Sequence, residues 1–171
     1  MKNLIYLQLK SSIKALVFST VVILFVATSC GEDDSELVKE GGDFAISELA
    51  GNWEATSAFF SRDSDNVSVD IVADGGSLSL TVQSSGTCTF TVNPVDRDAY
   101  TVGGEMFWEL YEGEYYFAIE WDDYPGDWAS YGATLTDTIF TMNGGPDTGE
   151  YDFDNEGTPD SARIGFAFVK I

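Results

Sequence analysis

From Asn52 to the end of the chain, apolar and polar residues take turns, and short clusters of Gly, Asn, Asp, Ser and Pro interrupt the alternation. A period of two puts successive side chains on opposite faces of a pleated strand, and a helix cannot use it. In the first such run Trp53, Ala55, Ser57 and Phe59 point one way and Asn52, Glu54 and Thr56 the other. Gly51 lets the chain turn sharply into it, because glycine lacks the Cβ that restricts backbone angles. Further runs follow at 67–74, 77–83, 87–93, 100–110, 114–121, 131–135, 139–142 and 162–171. Their connections, such as Asp74-Gly75-Gly76 and Ser84-Ser85-Gly86, are short enough for hairpins. No segment shows a helical period.

Alternating runs with one wet face belong to antiparallel sheets, since the strands of parallel sheets read as continuous apolar stretches. Links between neighbours in sequence favour a meander, and closure into a barrel removes the exposed edges that would invite aggregation. The expectation is an all-β chain, an antiparallel up-and-down β-barrel of about eight strands, with a β-sandwich as the alternative. The span 47–171 is long enough for one core and too short for two domains.

Residues 1–29 have the build of a secretory signal. Lys2, Lys10 and Lys14 precede an apolar run from Ala15 to Ala27, followed by small residues. That run falls short of the roughly 20 apolar residues that cross a bilayer. Ala27-Thr28-Ser29-Cys30 resembles the lipobox of bacterial lipoproteins, which implies cleavage before Cys30 and acylation of that residue. Ordinary cleavage would instead leave a lone exposed thiol at the start of a secreted chain. Gly31-Glu32-Asp33-Asp34 resembles the acidic signal that sends some lipoproteins to the cell surface. Residues 30–46 then read as a lipidated Cys with an acidic, flexible tether, and 47–171 as the folded domain. The expected address is the outer membrane of a cell envelope, with surface exposure. Cys88 has no partner for an internal bridge and falls on an inward position, where a buried, inert thiol is expected.

Gly51-x-Trp53 opening a meander of this length behind a lipobox resembles the bacterial lipocalin-like domains. The resemblance covers 47–171 and implies a calycin-type barrel with the Trp at its closed end, under a basic side chain near the last strand. Arg163 is the residue that matches that description from the sequence. The resemblance also implies a small apolar or amphipathic ligand in the mouth, and alternation makes Trp53, Phe59, Phe90, Trp108, Phe117 and Trp121 the inward set that would line it.

Two loops carry other chemistry. Asp152, Asp154, Glu156 and Asp160 space oxygen ligands along a turn containing Gly157, a pattern that resembles calcium loops. An acidic hairpin loop in a very acidic chain gives the same letters, and both readings stand. Calcium is thus the one cofactor the residues raise, and none is required. Trp121-Asp122-Asp123-Tyr124-Pro125-Gly126-Asp127-Trp128 mixes rings with carboxylates as glycan sites do, so the second functional expectation is a surface module recognising glycan or protein. The competing reading folds both Trp side chains back onto the core.

The chain has 29 acidic and 8 basic residues, a formal net charge of -21 and no His. Such a charge repels phosphate backbones, so no nucleic acid partner is expected. Without His, the Ser–His and Cys–His nucleophile pairs are excluded, and zinc lacks its usual nitrogen ligands. The expectation is a non-enzyme, monomeric, attached to a membrane through its lipid.

Overall fold

The computed structural model describes residues 35–171. The signal peptide expected over 1–29 and the lipidation expected at Cys30 fall outside the described residues. Eleven strands are present: β1 (Glu36–Val38), β2 (Gly51–Arg62), β3 (Val67–Asp70), β4 (Ser77–Val82), β5 (Thr87–Asn93), β6 (Tyr100–Tyr111), β7 (Glu114–Trp121), β8 (Trp128–Leu135), β9 (Ile139–Gly144), β10 (Gly149–Tyr151) and β11 (Asp160–Lys170). Antiparallel pairing runs β2-β4-β5-β6-β7-β8-β9-β11, and β11 pairs back onto β2 from Arg163↔Ser61 to Lys170↔Trp53. Eight strands therefore close a barrel in the expected up-and-down order. The sandwich alternative is excluded by that last pairing.

Three short strands lie outside the ring. β3 pairs with the far half of β2, β10 with the start of β11, and β1 with β6. The strand expected over 67–74 stops at Asp70, because its own carboxylate curls the chain. Asp70 Oδ1 accepts from the amides of Val72 (3.0 Å) and Ala73 (3.2 Å), starting a turn that no ladder can continue.

The inner face of β2 changes parity midway. Trp53 and Ala55 are buried, and then Ala58 and Phe60, while Phe59 is 37% exposed. Phe168 of β11 pairs with Ala55 and its neighbour Ala167 with Ser57, so Thr56 is an extra residue, a β-bulge. The amide of Ala58 just beyond it is taken by Asp70 Oδ1 at 3.1 Å, and Ser57 Oγ donates to Asp70 Oδ2 at 2.9 Å. Phe59, expected to face inward, is turned outward by this one residue.

Folded structure also begins earlier than the tether boundary at residue 46. Phe44 and Ile46 are buried, and a short 3-10 turn, Ile46–Leu49, follows. The carbonyl of Phe44 accepts the indole N–H of Trp108 at 2.8 Å, and Lys39 Nζ donates to the carbonyl of Met106 at 2.8 Å. This segment and the rings of Phe44, Trp108, Phe117 and Phe140, with centroids 5.0–6.3 Å apart, fill one end of the barrel. Trp53 belongs to the same plug. Its indole N–H donates to Leu49 O at 2.8 Å, and Lys170 Nζ stands 5.1 Å from its ring centroid. The cation over this Trp is Lys170, not Arg163. Lys170 pairs directly with Trp53 across the β11–β2 ladder, whereas Arg163 sits seven residues up the strand beside Asp63 at 3.3 Å.

Candidate functional site

Opposite the plug the strands splay into the β5–β6, β7–β8 and β9–β11 connections, and a cavity of about 650 Å³ opens between them. Its floor is apolar: Phe60, Leu78, Phe90, Val92, Ile164 and Phe166. Strand parity dictates this, since Leu78, Phe90, Val92, Ile164 and Phe166 all occupy buried alternate positions of their strands. Phe90 meets Trp121 at 5.4 Å between centroids and Phe166 at 6.2 Å, while Phe60 stacks on Tyr151 at 4.8 Å. Pockets of this volume and character take drug-sized molecules.

The wall above the floor is a ring of Tyr and Trp: Tyr100, Trp121, Tyr124, Trp128 and Tyr151. Hydrogen bonds fix two of them. Trp121 Nε1 donates to Tyr131 Oη at 3.1 Å, and Tyr131 Oη donates to the carbonyl of Thr148 at 2.5 Å, tying β7, β8 and the β9–β10 turn together. Tyr124 Oη donates to Glu150 Oε1 at 2.7 Å, bridging the β7–β8 loop to β10. Burial pushes the Tyr100 hydroxyl up to about 12, with Tyr151 and Asp152 adding to the shift and Arg97 opposing it.

Asp123, Asp127, Asp147, Glu150 and Asp152 also line the cavity, together with one cation, Arg97. Arg97 is occupied. Its guanidinium pairs with Asp96 at 3.0 Å and with Asp152 at 3.7 Å, donates to the carbonyl of Asp152, and lies 5.0 Å from the Tyr151 ring centroid. Asp123 and Asp127 enter no ion pair among the described residues.

Of the six ring positions read from the sequence as ligand-binding, Phe90 and Trp121 line the cavity. Trp53, Trp108 and Phe117 are in the plug at the other end, and Phe59 is on the outer surface. Alternation tells which face a residue takes, and it carries no information about height along the barrel axis. Height comes from pairing register, which places Trp108 opposite Phe117 and Val38, far from the mouth. Phe60, Arg97 and Tyr151 were missed. The adjacent polar pair Thr56-Ser57 between Ala55 and Ala58 is the signal that marks the parity change and would have exchanged Phe60 for Phe59.

The acidic loop after β10 is braced from within. Asp152 accepts from the amides of Gly157 at 2.8 Å and Glu156 at 3.2 Å, and Asp154 accepts from Glu156 at 3.3 Å. Desolvation works to raise the Asp152 pKa, but the Gly157 amide, Asp154 and the Glu156 amide together hold it below the ordinary value. Asp160 is turned away to Arg62. Among the described residues no group of three or more acidic or thiol side chains converges on a common point, so Asp152, Asp154, Glu156 and Asp160 do not form a cluster in this geometry. Of the two Trp residues of the acidic aromatic loop, Trp121 folds back onto the core at Phe90, whereas Trp128 meets Phe107, outside the core cluster, in an edge-to-face contact at 5.9 Å; both contribute to the cavity wall. No protein-family model, curated protein or solved structure matches the chain.

Proposed function

We propose that this chain is a binding protein of lipocalin-like build, held at the cell envelope by acylation of Cys30, that takes a small apolar or amphipathic molecule through the open end of its barrel. The observation that carries the reading is the cavity of about 650 Å³ with an apolar floor, open at one end of a ring whose other end is plugged. A barrel filled at both ends would have no such role; here space remains between the floor residues Phe90 and Phe166 and the loops of the open end. The cation over Trp53 at the closed end adds support for the lipocalin-like build. With no His in the chain, the reading is binding without turnover.

The test is a titration of the purified domain with Nile red, a neutral apolar dye, alongside native mass spectrometry. Saturable fluorescence is expected, and it should vanish in Val92→Trp, which fills the floor, while circular dichroism stays that of the parent. No saturable signal and no co-purifying mass would overturn the binding role. The anchor is tested separately by palmitate labelling of cells expressing the full chain, where label is expected on the parent and absent from Cys30→Ser.

A further inference from the structure

The floor of the cavity selects for apolar bulk, and the mouth must select for whatever is attached to it. We infer that the ligand is a cationic amphiphile, an apolar body bearing an amine or quaternary ammonium head, with the body on Phe90 and Phe166 and the head among the rings and carboxylates of the mouth. This rests on the binding role proposed above and adds the charge of the ligand to it.

Three observations combine. First, five carboxylates line the cavity, and they are distributed around the mouth: Asp123 and Asp127 on the β7–β8 connection, Asp147, Glu150 and Asp152 on the β9–β11 connection. Second, the only cation of the lining, Arg97, already has its Nε and Nη2 on Asp96 and its Nη1 on Asp152, and lies against Tyr151, so its charge is matched before a carboxylate or phosphate head arrives. An anionic amphiphile entering here would bring its charge into a negative field and would have to break an existing ion pair to find a partner. Third, Trp121, Tyr124, Trp128 and Tyr100 also line the cavity, and aromatic π faces attract cations and are the usual surround of quaternary ammonium groups; the Tyr151 ring is already taken, stacked on Phe60 and faced by Arg97. A charge of -21 on the chain steers cations toward the whole molecule, and the mouth focuses that field between apolar walls.

The experiment uses three probes with one apolar tail: decyltrimethylammonium, decanol and decanoate, each below its micelle concentration, titrated calorimetrically at neutral pH and low salt. The cation is expected to bind at least about tenfold more tightly than the carboxylate, with the alcohol between them. Asp123→Asn/Asp127→Asn should weaken the cation several-fold and leave the alcohol unchanged. Glu112→Gln/Glu114→Gln, at the turn on the plugged end, removes the same charge and should leave all three unchanged, which separates a site from general attraction to an acidic surface. Decanoate equal to or tighter than decyltrimethylammonium, or equal losses in the two double variants, would overturn the charge assignment and leave the cavity reading intact. Failure of all three probes to bind would sink both.

Discussion

Asp70 does more for this fold than its place at the end of a four-residue strand suggests. Its carboxylate accepts from the amides of Ala58, Val72 and Ala73 and from the hydroxyl of Ser57, so one side chain holds the bulge of β2 and the turn after β3 together. Desolvation pushes its pKa up, and those four hydrogen bonds outweigh it, leaving the folded value below the ordinary one. A depressed folded value means the stabilisation is fully present above the unfolded carboxylate's pKa of about 3.9 and is lost as pH falls through the folded value. Asp70→Asn, with one neutral acceptor oxygen and an NH2 donor in place of two charged acceptors, is expected to cost about 1–2 kcal/mol at neutral pH. Its stability should also fall less than the parent's below pH about 4, as urea melts across that range would show. Equal acid sensitivity in both proteins would remove Asp70 from this role. Cys88 gives the opposite case. Burial, with Asp122 and Glu105 nearby, pushes its thiol up to about 12, and its Sγ donates to the carbonyl of Gly104 at 3.3 Å. In the folded domain it should fail to react with Ellman's reagent at neutral pH and react promptly in denaturant, because the thiolate is the nucleophile.

At the scale of elements, the neighbours Phe59 and Phe60 measure what one inserted residue does to a strand. Phe60 packs on Tyr151 and Phe166, and Phe59 faces solvent. Phe60→Ala should cost about 3 kcal/mol and Phe59→Ala less than about 1 kcal/mol in chemical denaturation. The reverse order would mean that the bulge at Thr56 is misplaced. Most of the barrel was legible because each long strand repeats its period three or four times, and repetition is what makes a pattern readable. The pieces that were not legible are short. β10 has three residues inside a polar stretch, and β1 offers only Glu36-Leu37-Val38, too few to show a period. Phe44-Ala45-Ile46 is only a three-residue apolar run behind Gly41-Gly42-Asp43, so the segment reads as a tether although its apolar side chains finish the plug. Gly42 betrays that packing, since a Cβ there would stand 2.2 Å from the Trp108 ring. A domain beginning at residue 47 is accordingly expected to lose its cooperative melt and to bind an apolar dye nonspecifically, whereas one beginning at residue 35 should melt in a single transition.

Taken whole, the molecule sets an aromatic plug against an open acidic mouth, and the two ends respond differently to solvent. Packing at the plug depends little on salt, because apolar contacts are not screened. The open end is where charge accumulates. Arg62–Asp160, Arg163–Asp63 and Arg97–Asp152 join its strands and loops, and the carboxylates of the mouth repel one another around them. Exposed ion pairs contribute at most about 1 kcal/mol each, while a net charge of -21 opposes compaction over the entire surface. Screening weakens both effects, and repulsion is the larger. Melting temperature should therefore rise between low salt and about 0.5 M sodium chloride, where the Debye length has shrunk to a few ångströms. The same addition should weaken decyltrimethylammonium while leaving decanol unaffected, so stability and cation affinity are expected to move in opposite directions along one salt series. A melting temperature that falls with salt would assign the open end to its ion pairs. A cation affinity indifferent to salt would place the head group of the ligand outside the field of Asp123 and Asp127.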